Sequence, residues 1–509
     1  MASKIFTGNM PELMENILNN LDNEISSLYQ CTLVSRHWCK MSILILWQDP
    51  FSFDLIKGHL LIPKYISSFG EYEKSILEKD GINADFSKTL FDYARFLKVL
   101  DLYNIANKIN EWIFYLEDVK QYNETKNHII SLLFKLFIES GATLHEFVFT
   151  KYLNFEPKTL SLLKQNDQFF SRLQHLSLSD ITHFSLPVTI DFFMDLLKIP
   201  TKISALELDL SYDNDSDDDC RWNFIDVLIY IIKSQERLRL FSLRGDKSSE
   251  FHGIISALEN QKNSLQEVIV KNCHYSAEFE VLKNCKNLET LRIRNCSKEL
   301  LKTLNYKVNT LEIVDSSIDA STIVPILEKS GLLLQRLRLK IESSIREESL
   351  LLKTLNTFCP NVTYLNIINI EFSAQFLELI GNLQKLQFLT LQCTVGDVPK
   401  EELKIQAMQF AEILPLTLQY LNLRHNTWLE SYNDIFLNHC NAPLKRLFID
   451  RFNNEKIVKA LIEFCIRNKA LKYVAVYKLY DLYDLEDNTR KEVETYVSFV
   501  PFKHIIVKC

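Results

Sequence analysis

The sequence predicts an α/β repeat solenoid that follows a small helical unit. A six-residue motif (apolar, two residues, apolar, one residue, apolar) recurs fourteen times between residues 144 and 507. Most intervals between copies carry apolar residues at helical spacing, which indicates one helix for each strand. A chain of 509 residues is also too long for one ordinary hydrophobic core, which favours several domains or a repeat array.

The motif copies indicate short parallel strands. They begin 20–35 residues apart, at Leu144, Leu173, Ile203, Leu238, Leu265, Leu288, Val308, Leu334, Val362, Leu386, Leu418, Leu444, Leu471 and Phe502. The last two apolar residues of each copy lie two apart and therefore share one face of a strand. A strand–helix unit cannot bury its apolar face alone, so neighbouring units must stack. An all-helical array is the alternative, which strand-forming runs such as VIV and FVF disfavour.

Residues 141–509 resemble the leucine-rich-repeat family in this motif. After two of the middle copies, Asn272, Cys273, Asn295 and Cys296 match the asparagine-or-cysteine position that follows the strand in that family. The resemblance implies an α/β leucine-rich-repeat solenoid, or horseshoe, with a sheet on its concave face.

Residues 8–50 predict a compact helical unit. Pro11 and Glu12 suit a helix start, and Leu13, Ile17 and Leu18 follow at helical spacing. A second apolar series begins after a turn and ends near Trp47. A unit of this size is marginally stable alone.

The same residues resemble the F-box. Met10-Pro11, Ile17-Leu18, Leu33 to Trp38 and Leu46-Trp47 match its motifs in order, with Met10 in place of the usual leucine. The resemblance implies docking to a Skp-type adaptor, and through it to a cullin–RING ubiquitin ligase. The candidate adaptor contacts are Met10, Pro11, Leu13, Ile17, Leu18, Leu28, Cys31, Leu33, Val34 and Trp38. A plain helical cap on the repeats is the alternative, since repeat arrays need capped ends.

Residues 51–140 show no clear repeat strand and predict a helical spacer that joins the F-box-like unit to the repeats.

In the repeat strands, the residues that flank the last two apolar positions point away from the core. They are basic in the middle copies and aromatic in the later ones. The candidate substrate-binding face comprises Arg292, Arg294, Arg336, Arg338, Tyr364, Phe388, Tyr420, Arg424, Arg446 and Tyr473. Ordinary solvated strand positions are the alternative.

Other features narrow the function classes. The net charge of −7 disfavours general nucleic-acid binding, and no C-x-x-C occurs among 11 cysteines. No apolar run reaches the roughly 18 residues of a membrane span. These features predict a cytoplasmic or nuclear protein without a membrane anchor. The sequence lacks phosphate-binding and nucleophile-elbow motifs, so we expect no enzyme activity, cofactor or metal. The acidic stretch 213–219 lacks the glycine and glutamate of a calcium loop.

The sequence thus predicts the substrate-recognition subunit of a Skp–cullin–F-box ubiquitin ligase. An unidentified protein, acidic or phosphorylated, would bind the repeat face, because rows of arginine suit such partners. The alternative is a ligase-independent protein-binding scaffold or inhibitor.

Overall fold

A computed structural model describes the chain apart from residues 1–10, 22–24, 54–55, 84–85, 117–120, 151–160, 164–165, 180–186, 200–201, 211–218, 246–250, 304–306, 316–318, 342–345, 450–454, 477–486, 502–506 and 508–509. The chain forms two compact units. Unit 1 comprises Met1–Asp246 and His252–Ser264, and unit 2 comprises Lys247–Phe251 and Leu265–Cys509.

The described part of unit 1 contains five strands, each paired in parallel with the next along the chain. They are β1 (Val99–Asp101), β2 (Glu146–Phe149), β3 (His175–Leu178), β4 (Ala205–Asp209) and β5 (Leu240–Arg244). Its helices are α1 (Pro11–Asn19), α2 (Ile25–Thr32), α3 (Arg36–Leu46), α4 (Gly58–Ile66), α5 (Glu71–Lys79), α6 (Leu102–Tyr115), α7 (Tyr122–Glu139), α8 (Asp167–Phe170), α9 (Pro187–Leu196) and α10 (Asp219–Ser234), with 3₁₀ segments at Tyr93–Phe96 and Ser256–Gln261.

Unit 2 continues the same strand–helix alternation, and its strands also pair in parallel and in chain order. They are β6 (Glu267–Lys271), β7 (Thr290–Arg294), β8 (Thr310–Asp315), β9 (Arg336–Ile341), β10 (Tyr364–Glu371), β11 (Phe388–Thr394), β12 (Tyr420–Asn422), β13 (Arg446–Phe448), β14 (Tyr473–Val476) and β15 (Ser498–Pro501). The helices are α11 (Lys298–Thr303), α12 (Ala320–Ser330), α13 (Glu348–Phe358), α14 (Ala374–Asn382), α15 (Lys400–Ile413), α16 (Asn433–His439), α17 (Glu455–Arg467) and α18 (Asp487–Glu494), with 3₁₀ segments at Ala277–Asn284, Gly331–Leu333 and Glu430–Tyr432.

The sequence motif and the strands coincide. Thirteen of the fourteen copies form strands, β2 to β14, and each strand begins two residues after the first apolar residue of its copy. In β6, Val268 and Val270 are buried, whereas the residues between and beside them are partly exposed. This alternation buries one face of the sheet against the helices. The predicted α/β architecture of stacked strand–helix repeats is confirmed.

The strands extend beyond the predicted copies at the start of the repeats and depart from them at the end. β1 lies inside the segment predicted as a helical spacer, and α6 begins directly after it at Leu102. Asp101, the last residue of β1, caps α6 by accepting hydrogen bonds from the backbone N–H groups of Tyr103 and Asn104. The segment Leu97 to Leu102, LKVLDL, fits the six-residue motif, and β1 begins two residues after its first apolar residue, so the prediction missed one copy. β15 precedes the predicted copy at Phe502, of which only the last residue, Val507, belongs to the described chain.

The predicted turn residues occupy their expected positions. Asn272 and Asn295 follow β6 and β7 with φ angles of 55° and 54°, in the left-handed region that asparagine tolerates. The next residues, Cys273 and Cys296, are buried. The Cys296 thiol donates to the carbonyl oxygen of Arg294 at 3.3 Å, which ties the turn to its own strand.

The first three helices form a small core, which we call the hook core. It consists of Met14, Leu18, Leu28, Trp38 and Leu46. Ser35 begins α3 by accepting a hydrogen bond from the N–H of Trp38 at 3.3 Å. This helical unit, α1 to α3, is called the hook below.

Aromatic contacts fix the hook to the segment that precedes β1. The ring of Trp47 stacks on Tyr93, with 3.8 Å between centroids, and meets Tyr65 edge-on at 5.4 Å. The carbonyl oxygen of Gln48 accepts from the N–H groups of Lys98 and Val99 at 2.9 and 3.0 Å. The hook is therefore attached to the first strand by both side-chain and backbone contacts.

Candidate protein-binding site

Outward-pointing side chains of β6 to β14 form a surface that we call the unit 2 face. Strand register places one row of residues side by side: Thr290, Thr310, Arg336, Tyr364, Phe388, Tyr420, Arg446 and Tyr473. A second row lies two residues further along each strand: Arg292, Glu312, Arg338, Asn366, Thr390, Asn422, Phe448 and Ala475. Side chains two apart in a strand share a face.

Nine of the ten candidate substrate-binding residues lie on this face. Six belong to the first row and two to the second, and Arg294 lies two residues beyond Arg292 on β7. Arg424 is the exception, because β12 ends at Asn422 and the chain turns there. The backbone N–H of Arg424 donates to Asn422 Oδ1 at 3.1 Å within that turn.

A buried glutamate, Glu312, binds three of the candidate arginines. Its carboxylate is fully buried and lies 2.9 Å from Arg292 Nη1, 2.7 Å from Arg294 Nη2 and 3.3 Å from Arg338 Nη1. Arg292 also donates from Nε to Glu267 at 2.7 Å. The predicted arginine stripe did not include either carboxylate, and its positive charge is therefore smaller than predicted. Glu312 occupies the same motif position as Arg292 and Arg338, and that position was the available signal.

An aromatic row continues the unit 2 face from the arginines. The ring centroids lie 6.3 Å apart for Tyr364 and Phe388, 6.0 Å for Phe388 and Tyr420, and 5.3 Å for Tyr420 and Phe448. The guanidinium of Arg336 sits 4.5 Å from the centre of the Tyr364 ring, a cation–π contact that links the two parts of the face.

Much of the aromatic row is covered. Tyr364, Tyr420 and Phe448 are each only 2% exposed, and Val507, the last described residue of the chain, packs against the cluster of Tyr420 and Phe448. The Tyr364 hydroxyl donates to the carbonyl oxygen of Val507 at 3.2 Å. Burial raises the pKa of the Tyr420 hydroxyl. By contrast Tyr473, further along the row, is 37% exposed.

The candidate adaptor residues in the hook fall into two groups, those in its core and those on its surface. Leu18, Leu28 and Trp38 belong to the hook core, and Cys31 packs against it. Surface side chains are Leu13, Ile17, Leu33 and Val34, which are 37%, 36%, 73% and 49% exposed. Pro11 is the first residue of α1, and Met10 lies outside the described residues. Tyr29 and Leu44 are further exposed apolar side chains that the sequence analysis did not select.

A charged histidine marks the face of unit 1. His175 on β3 lies between two carboxylates, with Nδ1 3.3 Å from Glu146 Oε2 and Nε2 3.2 Å from Glu207 Oε1. Burial of the ring lowers its pKa, but the contacts with the two carboxylates outweigh burial and raise the pKa of His175 to about 9. The imidazolium therefore persists at neutral pH and joins β2, β3 and β4.

We expect His175 to make stability depend on pH. Because its folded-state pKa is above the usual 6.5, its contribution is complete below about pH 6.5 and is lost as pH rises to about 9. His175→Gln should lower the free energy of unfolding by about 1–3 kcal/mol at pH 6 and by much less at pH 9.5. Urea denaturation of both chains at the two pH values measures this difference, and an equal loss at both would contradict it.

Other kinds of site are not found in the described part of the chain. No helix there is long and apolar enough to cross a membrane. No group of three or more His, Cys, Asp or Glu residues there is placed to hold a metal ion. No disulfide joins the nine cysteines whose side chains are described, and burial raises the pKa of Cys359 and Cys440 to about 12. The acidic stretch 213–219 falls mostly on residues outside the description.

Comparisons with known proteins return distant structural likenesses. No protein-family model matches the sequence, and neither does any curated protein. An internalin from Listeria monocytogenes is 14% identical, covering 60% of this chain and 87% of its own, with a TM-score of 0.27. A leucine-rich-repeat protein from Leptospira interrogans is 12% identical, covering 67% and 98%, with a TM-score of 0.28. The fold assignment rests on strand order and register rather than on these values.

Proposed function

We propose that this protein is the substrate-recognition subunit of a Skp–cullin–F-box ubiquitin ligase, without catalysis of its own. The single observation that carries the proposal is the exposed apolar surface of the hook. Leu13 and Ile17 lie four residues apart, on one side of α1, and Leu33 and Val34 form the turn between α2 and α3. Exposed apolar side chains on a helical unit that has its own core suit helix-on-helix docking.

The attachment of the hook supports this role. A receptor has to hold its bound protein at a fixed place relative to the adaptor. The contacts of Trp47 with Tyr93 and Tyr65, together with the backbone bonds at Gln48, provide such a rigid attachment between the hook and β1.

The repeat face supplies the other half of the proposed role. The unit 2 face combines arginines with tyrosines and phenylalanines, the residue types that protein interfaces favour. Because Glu312 neutralises part of the arginine charge, an extended or mildly acidic protein segment suits this face better than a densely phosphorylated one. We place this activity in the cytoplasm or nucleus.

Adaptor binding tests the proposal directly. We expect the double variant Ile17→Asp, Leu33→Asp to lower affinity for a purified Skp-type adaptor at least ~10-fold, because two carboxylates would enter an apolar interface. Both side chains are exposed, so stability should change little. Isothermal titration calorimetry with the full chain measures the affinity.

The matched control is Ile466→Asp, which places a carboxylate at an aliphatic residue of α17 that is 54% exposed. It should bind the adaptor as the unaltered chain does. Absence of adaptor binding by the unaltered chain would reject the ligase role. The alternative, a ligase-independent scaffold or inhibitor, would then account for the unit 2 face alone.

A further inference from the structure

Val507 lies on the unit 2 face as a bound peptide would. Its carbonyl oxygen accepts from Tyr364 Oη at 3.2 Å, and its backbone also contacts the Tyr420 hydroxyl. Its side chain packs on the cluster of Tyr420, Phe448 and Ala475. The contact is therefore made by both backbone polar groups and an aliphatic side chain.

Two polar side-chain atoms on β9 and β10 are available for a second contact with the backbone of a bound peptide. Asn366 Oδ1 and Arg338 Nε are buried and have no hydrogen-bond partner among the described residues. The two residues face each other across β9 and β10, about 4.8 Å apart in the direction of strand pairing. An acceptor and a donor at this spacing suit the N–H and C=O of one residue in an extended chain.

We propose that Arg338, Tyr364, Asn366, Tyr420 and Phe448 form a binding site for an extended peptide that carries an aliphatic side chain. Val507 occupies this site in cis and competes with the external partner. The inference deepens the proposed function, on which it rests for the role of that partner as a ligase substrate. The docking of Val507 itself does not depend on that role.

Val507 competes with an external peptide because it is covalently connected to the protein that carries the site. A segment of the same chain is present at an effective concentration of the order of millimolar, so a free peptide of similar affinity displaces it poorly. The site should consequently open when the contact of Val507 is weakened. Loss of the aliphatic side chain removes the apolar part of that contact, and a carboxylate at this position opposes burial against the rings.

The test uses the full chain and a fluorescein-labelled peptide with the sequence of residues 502–508, Phe-Lys-His-Ile-Ile-Val-Lys. We expect Val507→Asp in the protein to bind this peptide about 10-fold more tightly than the unaltered protein, measured by fluorescence anisotropy. A peptide with aspartate in place of its valine should bind weakly to both. Val507→Gly should change affinity in the same direction by a smaller factor, and it decides the question if Val507→Asp is poorly folded.

Ile466→Asp is the control, because it adds the same charge at a distant exposed site, and it should bind the peptide as the unaltered chain does. Equal peptide binding by the unaltered chain and both Val507 variants would overturn the inference. Adaptor affinity is measured on the same variants and should stay constant. Loss of the ligase role would thus appear in the adaptor assay, and loss of the peptide site in the anisotropy assay.

Discussion

Glu312→Gln should destabilise unit 2 by about 3–5 kcal/mol, because it removes the one carboxylate that three arginines share. The substitution keeps the size and shape of the side chain, but it removes the charge and replaces one accepting oxygen with an NH2 group that can only donate. Arg292, Arg294 and Arg338 would then face one another across neighbouring strands with reduced compensation. Glu312 is fully buried, so water cannot replace the lost carboxylate without opening the sheet.

Hydrogen exchange of peptides from β7 to β9 measures this loss, since it reports local opening in a chain with two compact units. Exchange in these strands should accelerate at least ~100-fold. Glu267→Gln is the matched control: it removes a carboxylate that also binds Arg292 but is partly exposed, so we expect a change below about 1 kcal/mol. Equal effects of the two substitutions would show that Glu312 is not the centre of this network.

The strands were predictable because the spacing of the apolar residues within each motif copy indicates which of its side chains are buried. Val268 and Val270, two residues apart, can share the core only in an extended chain, and no distant contact is needed to infer this. The position of a side chain on the unit 2 face was predictable for the same reason. The ion-pair partner of such a side chain was predictable only in part. Glu312 could have been read from its motif position, which is also that of Arg292 and Arg338.

Contacts between distant residues could not be predicted in this way. Tyr364 and Val507 are 143 residues apart, and no periodicity relates them. The prediction from the sequence that Tyr364 and Tyr420 lie on an exposed surface is therefore wrong, because both side chains are buried. In the hook, Val34 and Trp38 both fit an apolar helical series, but the turn between α2 and α3 leaves Val34 49% exposed and places Trp38 in the core.

Gly58→Ala should lower the free energy of unfolding by about 3 kcal/mol or more, because α4 begins in direct contact with α6. A Cβ atom at residue 58 would lie 2.0 Å from the backbone carbonyl oxygen of Lys108 and 2.9 Å from the Cβ of Glu111. A helix backbone cannot rotate away as a side chain can, so α4 and α6 must separate. The bond from the Gly58 N–H to Glu111 Oε2, now 2.7 Å long, would weaken with them.

The effect should reach the attachment of the hook, since Tyr65 of α4 contacts Trp47. Thermal unfolding and hydrogen exchange of α4 and α6 measure the loss of stability. Gly396→Ala is the control, because a Cβ atom there meets nothing within 4 Å, and its stability should stay the same or rise slightly. Adaptor affinity should fall less than about threefold in Gly58→Ala, because Leu13, Ile17, Leu33 and Val34 lie outside this contact and surface side chains are largely independent of it. A tenfold loss would instead mean that the packing of α4 on α6 shapes the proposed adaptor-binding surface of the hook.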